Sequence, residues 1–315
     1  MVLIPLRFIA QTLACMLTKT RLFMRFFITD VFGNDKYSGN QLATFFDFGT
    51  LSTDEMQNIA REINFSETTF ITSDKKINDG FNVRIFTPSS EIDFAGHPTL
   101  GTAHIISKYL FKHLLGLVKL NYRVGQIPVT IINETIWMRQ NQPKFGHNID
   151  QLLLAQTLGL TDNDFDNRFP IMEVTTGLPF TIVPLKSLNA IKKAKVNLIK
   201  YNDFIQQTWA KGILIYCQEA YDKHHGISSR VFVDYLGIPE DPATGSATGC
   251  LAGYLLKYNV LNSNQIELTV GQGYEINRQS ELKIKAELID GNFDINIGGK
   301  VIEIAEGDWK IKHAG

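Results

Sequence analysis

Cysteine is scarce in this chain. Only Cys15, Cys217 and Cys250 occur in 315 residues, and no two form a Cys-x-x-Cys pair. A sparse, odd set argues against a disulfide framework and fits a reducing compartment, so the expected location is the cytoplasm. Cys217, inside the apolar run GILIYC, reads as a core residue of a buried strand. Charge of one sign is lacking too. Lys plus Arg number 31 and Asp plus Glu 32, a net charge of −1, with no charged tail. That balance gives no reason to expect a nucleic-acid partner. Long apolar runs are also missing. The most apolar stretch, residues 1–23, is broken by Arg7, Gln11 and Lys19. It therefore falls short of the roughly 18 uninterrupted residues of a membrane span, and no membrane partner is expected. It opens Met-Val-Leu-Ile without a basic start, and TLAC has polar Thr12 three positions before the cysteine. Neither matches an export signal, so residues 1–23 read as an extension outside the fold. No Gly-Lys-Ser/Thr loop and no Gly-x-Gly-x-x-Gly after a strand is present, which disfavours a nucleotide. His104 and the pair His224-His225 have no partners at metal-ligand spacing, so no metal is expected.

What is present is an ordinary globular composition, 44% hydrophobic and 20% charged, long enough for about two domains. RFFITDVF (25–32), TTFITS and FNVRIFTP read as strands by their β-branched and aromatic content. STDEMQNIAREI (52–63) reads as a helix with Ser52 or Thr53 as cap and Met56, Ile59, Ala60 and Ile63 on one face. LVKLNYRV, IPVTIIN and TIWMRQ follow as antiparallel strands. Asn141–Gly146 is polar and holds Pro143 and Gly146, which marks a junction. After it, Asn148 is a candidate cap for the helix IDQLLLAQTL, which Gly159 ends. Strands return at PFTIVPL, GILIYC and SRVFVDY. Near the end, apolar residues alternate on both sides of Asp290-Gly291, the pattern of a hairpin with one buried face.

The two halves resemble each other. VRIFTPSSEIDFAGHPTLGTAHII in the first and SRVFVDYLGIPEDPATGSATGCLAGYL in the second each run strand, turn, small-residue loop, apolar helix. Gly96 and Gly245 stand 149 residues apart, about half the chain, and aligning them sets His97 against Ser246 and Thr99 against Thr248. The pattern predicts a two-fold repeat of one α+β unit. It also predicts two helix N-termini facing one cleft, each with free backbone N–H groups and a positive dipole end. Such a pair suits a small carboxylate.

Several residues near these loops are candidates for chemistry. Glu67 lies in INFSETTFIT between Phe65 and Phe70. A carboxylate among apolar neighbours is either a surface residue or a base with a raised pKa. His97 at a helix start is either a structural histidine or a neutral imidazole able to relay a proton. Asp241 before Pro242 is a turn residue or a site residue, and Ser246 a cap or a site residue. Glu91 and Asp93 in SSEIDF read as turn residues.

NFSETTF, FTPSSEIDFAGHPTLGTA and EDPATGSATG, in this order and spacing, resemble the PhzF-like family, which includes a phenazine-biosynthesis enzyme. The resemblance runs from residue 24 to about 312 and extends more distantly to the diaminopimelate epimerases. It implies an α+β fold of two pseudo-symmetric lobes, each a curled, mostly antiparallel sheet around a central helix. The lobes would be 24–140 and 141–300, with the strand 301–312 a candidate addition to the first. It implies a cofactor-independent isomerase acting on trans-2,3-dihydro-3-hydroxyanthranilate or a similar small carboxylate. Glu67 would carry the proton, with His97, Asp241 and Ser246 around the substrate. Gly96 and Gly245 would present N–H groups to the substrate carboxylate beside Thr244. A homodimer is implied as well. The chain departs from the epimerases, whose two catalytic cysteines fall at Ala95 and Thr244 here, which disfavours a two-thiol racemisation. Gln41 and Pro98 also depart from the common pattern. An amino-acid or hydroxy-acid epimerase, or a carboxylate-binding protein without catalysis, are the other readings the residues allow.

Overall fold

A computed structural model describes residues 23–111 and 116–311. The extension expected over 1–23, with Cys15, lies outside the described residues, except for Phe23, which opens the first strand opposite Lys310.

The fold is α+β and the sequence repeat is a structural one. In the first lobe Phe23–Val31 pairs antiparallel with Asn40–Phe46, and Asn40–Phe46 pairs parallel with Glu67–Ile71. The second lobe repeats this with Met172–Thr175, Pro179–Pro184 and Gly212–Cys217. Next, Phe81–Phe86 pairs parallel with Leu117–Tyr122, and Ile227–Val233 pairs parallel with Gln265–Gln272. Between the members of each parallel pair the chain makes a short strand and then a central helix, Gly96–Ile105 in one lobe and Gly245–Lys257 in the other. Antiparallel meanders close each unit, Gly125–Ile132 with Thr135–Arg139 and Ser280–Ile289 with Asn292–Gly299. The two units join edge to edge where Asn292–Gly299 pairs with Thr135–Arg139.

Each half of the chain then crosses to the other. Lys144–Asn148, just after the first meander, pairs with Met172–Thr175 of the second lobe. Val301–Lys310, just after the second meander, pairs along the whole of Phe23–Val31 in the first. The polar Asn141–Gly146 stretch is this crossing point.

Both central helices are buried nearly all round, as their composition of Gly, Ala, Thr and Leu allows. One continuous core wraps them, from Phe27 and Leu100 to Leu251 and Ile284. Close approach explains the small residues. A Cβ on Gly101 would meet Leu42 Cδ2 at 2.5 Å, so only glycine lets this helix rest on the sheet. A second core lies under Gln151–Leu158 and Leu198–Gln207, and a third under the amphipathic helix Thr53–Ile63. Ser52 caps that last helix in a reciprocal capping box with Glu55. Two local expectations change. Asp150, not Asn148, caps Gln151–Leu158, because Asn148 is still in the crossing strand. Glu91 is not a turn residue but part of a two-residue strand, where Arg84 holds it through two contacts of 2.7 Å.

Candidate active site

The repeat brings the two helix N-termini together. A Cβ on Gly96 would lie 3.5 Å from the Ser246 nitrogen and 3.8 Å from Gly245 Cα, so the helix starts nearly touch. Neither helix is capped by a side chain. Ala95 and Thr244 occupy the cap positions in extended conformation and make no side-chain cap bond. The first N–H groups of both helices therefore face a common space, a ready anion site. That space opens into a cavity of about 350 Å³ between the lobes. Ile92 and Phe94 wall it on one side, and Leu178, Phe180, Tyr235 and Ile238 on the other.

All seven residues singled out from the sequence line this cavity: Glu67, Gly96, His97, Asp241, Thr244, Gly245 and Ser246. Glu67 is placed by register. As first residue of Glu67–Ile71 it stands opposite Leu42 in the parallel pair, at the strand end that meets the helix starts. It is largely withdrawn from solvent rather than on the surface. Its side chain is 17% exposed and lies 3.4 Å from His97 Nε2. Glu67 Oε2 and His97 Nε2 are both buried without a hydrogen-bond partner. Burial raises the Glu67 pKa from 4.5 to about 7, against a smaller downward pull from the Ser66 hydroxyl. Burial lowers the His97 pKa to about 4, against the opposing charge of Asp241 and a backbone hydrogen bond at Gln41. Desolvation, more than the helix dipole, thus favours the neutral imidazole at pH 7. Asp241 is raised to about 6 by burial, with His97, Thr244 and Asn40 pulling the other way.

Sequence reasoning missed two residues behind Asp241, Asn40 and Gln272, and the bond that Thr244 makes to it. Asn40 Nδ2 donates to Asp241 Oδ1 at 2.9 Å and to the Ala243 carbonyl at 3.1 Å. The Thr244 hydroxyl donates to Asp241 Oδ2. Gln272 is fully buried, and its Nε2 donates to the Asp241 carbonyl at 2.7 Å and to Thr244 Oγ1 at 3.1 Å. The signal for Gln272 was a polar residue ending the strand-like run LTVGQ. For Asn40 it was the small-residue turn YSGNQ at a strand start. Among the described residues no three His, Cys, Asp or Glu side chains stand together in a way that could hold a metal ion. No helix among them is long and apolar enough to cross a membrane.

Two pseudo-symmetric lobes, with titratable groups where two helix starts meet, define a class of isomerase and epimerase folds. A solved hydroxyproline epimerase from Agrobacterium vitis shares this fold over 94% of the chain and 95% of its own, with a TM-score of 0.60 at 7% identity. Within that class the chain belongs to the phenazine biosynthesis-like (PhzC-PhzF) family, whose pattern matches residues 29–307. A PhzF-family protein from Bacillus anthracis superposes with a TM-score of 0.84 at 30% identity, covering 92% of this chain and 99% of that one. The trans-2,3-dihydro-3-hydroxyanthranilate isomerase of Pseudomonas aeruginosa is 32% identical over 84% of this chain and 90% of its own. An uncharacterized isomerase of Mesorhizobium japonicum is 27% identical over 90% of this chain and 97% of its own. The chain is an isomerase of this family.

Proposed function

We propose that the protein moves a proton between two carbons of a small, largely apolar carboxylate without a cofactor. Trans-2,3-dihydro-3-hydroxyanthranilate, the substrate in the name of the Pseudomonas aeruginosa relative, is the first compound to test. The substrate carboxylate sits between the helix starts at Gly96 and Gly245, and the apolar walls take its carbon skeleton. Glu67 as carboxylate removes a proton from one carbon. The electron pair of that C–H bond passes into the adjacent unsaturated system, and the Glu67 acid returns the proton to a second carbon. One C–H bond breaks and one forms, so composition and oxidation state are unchanged. A carboxyl group with a pKa near 7 suits both halves of this cycle. Neutral His97 accepts a hydrogen bond at Nε2 from the protonated Glu67 and keeps it aimed. Ser246 and the helix N–H groups meet the negative charge that develops on the substrate.

The observation that carries this reading is that Glu67 Oε2 and His97 Nε2, both buried and both without a hydrogen-bond partner, lie 3.4 Å apart beside two uncapped helix starts. The test is proton NMR in deuterated water with trans-2,3-dihydro-3-hydroxyanthranilate and other cyclic carboxylates. Loss of a substrate C–H signal as product forms is expected. Tight binding with no exchange and no product would favour a binding protein instead. The symmetric homodimer that the family resemblance implies belongs to the same proposal and is checked by sedimentation equilibrium.

A further inference from the structure

Two carboxylates, the part-buried Glu67 and the buried Asp241, act on His97's surroundings, yet their hydrogen-bond settings differ. Glu67 Oε2 has no partner. Both carboxylate oxygens of Asp241 are met by donors, Asn40 Nδ2 on one and the Thr244 hydroxyl on the other.

The direction of these bonds is fixed by backbone groups that cannot reverse. The Thr244 backbone N–H can only donate, so the Gln272 oxygen that meets it at 3.3 Å is Oε1. Its Nε2 then faces the Asp241 carbonyl, which can only accept. The second proton of Nε2 goes to Thr244 Oγ1. Thr244 therefore accepts from Gln272 and has one proton left, which goes to Asp241 Oδ2. Asn40 is oriented in the same way. The Ala243 carbonyl must accept, so it faces Nδ2, and the other Nδ2 proton goes to Asp241 Oδ1. A proton placed on Asp241 would meet a donor at either oxygen and leave a buried hydrogen without an acceptor.

We propose that Asn40, Thr244 and Gln272 are positioning residues that hold Asp241 as a standing anion, leaving Glu67 as the carboxyl group that gains and loses the proton. The proposal deepens the reading of Glu67 given above, and rests on it for what Glu67 does, but not for the state of Asp241. It also gives Thr244 a different task from contacting substrate, since its one hydroxyl proton is spent on Asp241. Asn40 has the wider reach, because it joins a first-lobe strand to the second-lobe loop and its Oδ1 lies 3.3 Å from the Ser66 hydroxyl, beside Glu67. The charged or titratable groups acting on Asp241 are His97, from the helix Gly96–Ile105, and Glu67, from the strand Glu67–Ile71. His97 favours the anion only once it is protonated, near its value of about 4, and an ionised Glu67 opposes it, so at neutral pH the donors to Asp241 are what keep the two acids in different states.

The test needs no substrate. Asp241 is followed by carbon-13 NMR of its carboxyl group in the ligand-free protein, its signal assigned by loss in Asp241→Asn. Thr244→Val removes one donor and Asn40→Ala the other, and each is expected to raise the Asp241 titration midpoint by about one pH unit. Thr244→Ser keeps the hydroxyl and is expected to leave the midpoint where it is. An unmoved or lowered midpoint in both Thr244→Val and Asn40→Ala overturns the proposal. So does a Thr244→Ser shift as large as that of Thr244→Val. If Thr244→Val does not fold, Asn40→Ala and Thr244→Ser decide the matter together. A wild-type protein that exchanges no substrate hydrogen would remove the role of Glu67 yet leave the Asp241 assignment standing.

Discussion

Glu67 titrates higher in the folded chain than a free glutamate does, and the sign of that shift fixes two outcomes. Its folded value of about 7 lies above 4.5, so the folded state binds the proton more tightly than the unfolded state. The stability this contributes is complete below about pH 4.5 and is lost as pH rises through 7. Glu67→Gln cannot ionise, so its stability relative to wild type is expected to improve between pH 5 and pH 8, by up to about 3 kcal/mol. Urea unfolding at the two pH values measures this, and an equal difference at both contradicts it. The second outcome concerns rate. A base must be ionised to act, so kcat/KM for proton exchange is expected to rise with pH and level off above about pH 7. A profile flat between pH 6 and 8 would assign the base elsewhere. His97 adds an acid-side effect: its folded value of about 4 lies below 6.5, so its contribution to stability is lost as pH falls through that window. A raised Glu67 value and a neutral His97 each stood among the readings the residues left open, but nothing local chose them over a surface carboxylate and a structural histidine. Burial of Glu67 depends on walls drawn from both lobes, and the sequence near it, with Phe65 and Phe70, suits a surface position as well.

At the scale of single elements, the central helices were legible and their surroundings only partly so. GHPT and GSAT mark the two helix starts correctly because Gly, Ser and Thr there precede apolar runs. Asn148 misled as a cap because the strand that holds it belongs to the crossing between lobes, which a local pattern does not display. Two glycines test the packing of these helices. Gly101→Ala would press on Leu42 at 2.5 Å and is expected to cost about 1–3 kcal/mol, read as a lower urea midpoint. Gly96→Ala meets nothing closer than 3.5 Å and should leave that midpoint nearly unchanged. Its methyl group stands between the two helix starts, however, and is expected to weaken carboxylate binding at least tenfold by calorimetry. Unchanged affinity in Gly96→Ala would move the anion site elsewhere.

For the whole molecule, the repeat of 149 residues announced two lobes and the family resemblance offered a strand over 301–312 to the first, but the matching strand Lys144–Asn148 beside Met172–Thr175 was not foreseen. The crossing arises because each meander leaves the chain beside the partner unit's open edge, where backbone N–H and C=O groups need partners. Cooperative unfolding follows: the lobes share one core and exchange strands, so neither closes alone. A single transition in urea is expected by both near-UV circular dichroism and tryptophan fluorescence, and residues 24–140 and 141–300 made separately should not fold. Two resolved transitions, or a folded half, would contradict this. The arrangement also places Glu67 from the first lobe against Asp241 from the second, so the candidate site exists only when both lobes are assembled. The most direct measurement compares wild type with Glu67→Gln for incorporation of deuterium from solvent into trans-2,3-dihydro-3-hydroxyanthranilate and its product. Incorporation by wild type and a loss of at least a thousandfold in the folded variant is the predicted result; equal incorporation by both would contradict the assignment of the proton to Glu67.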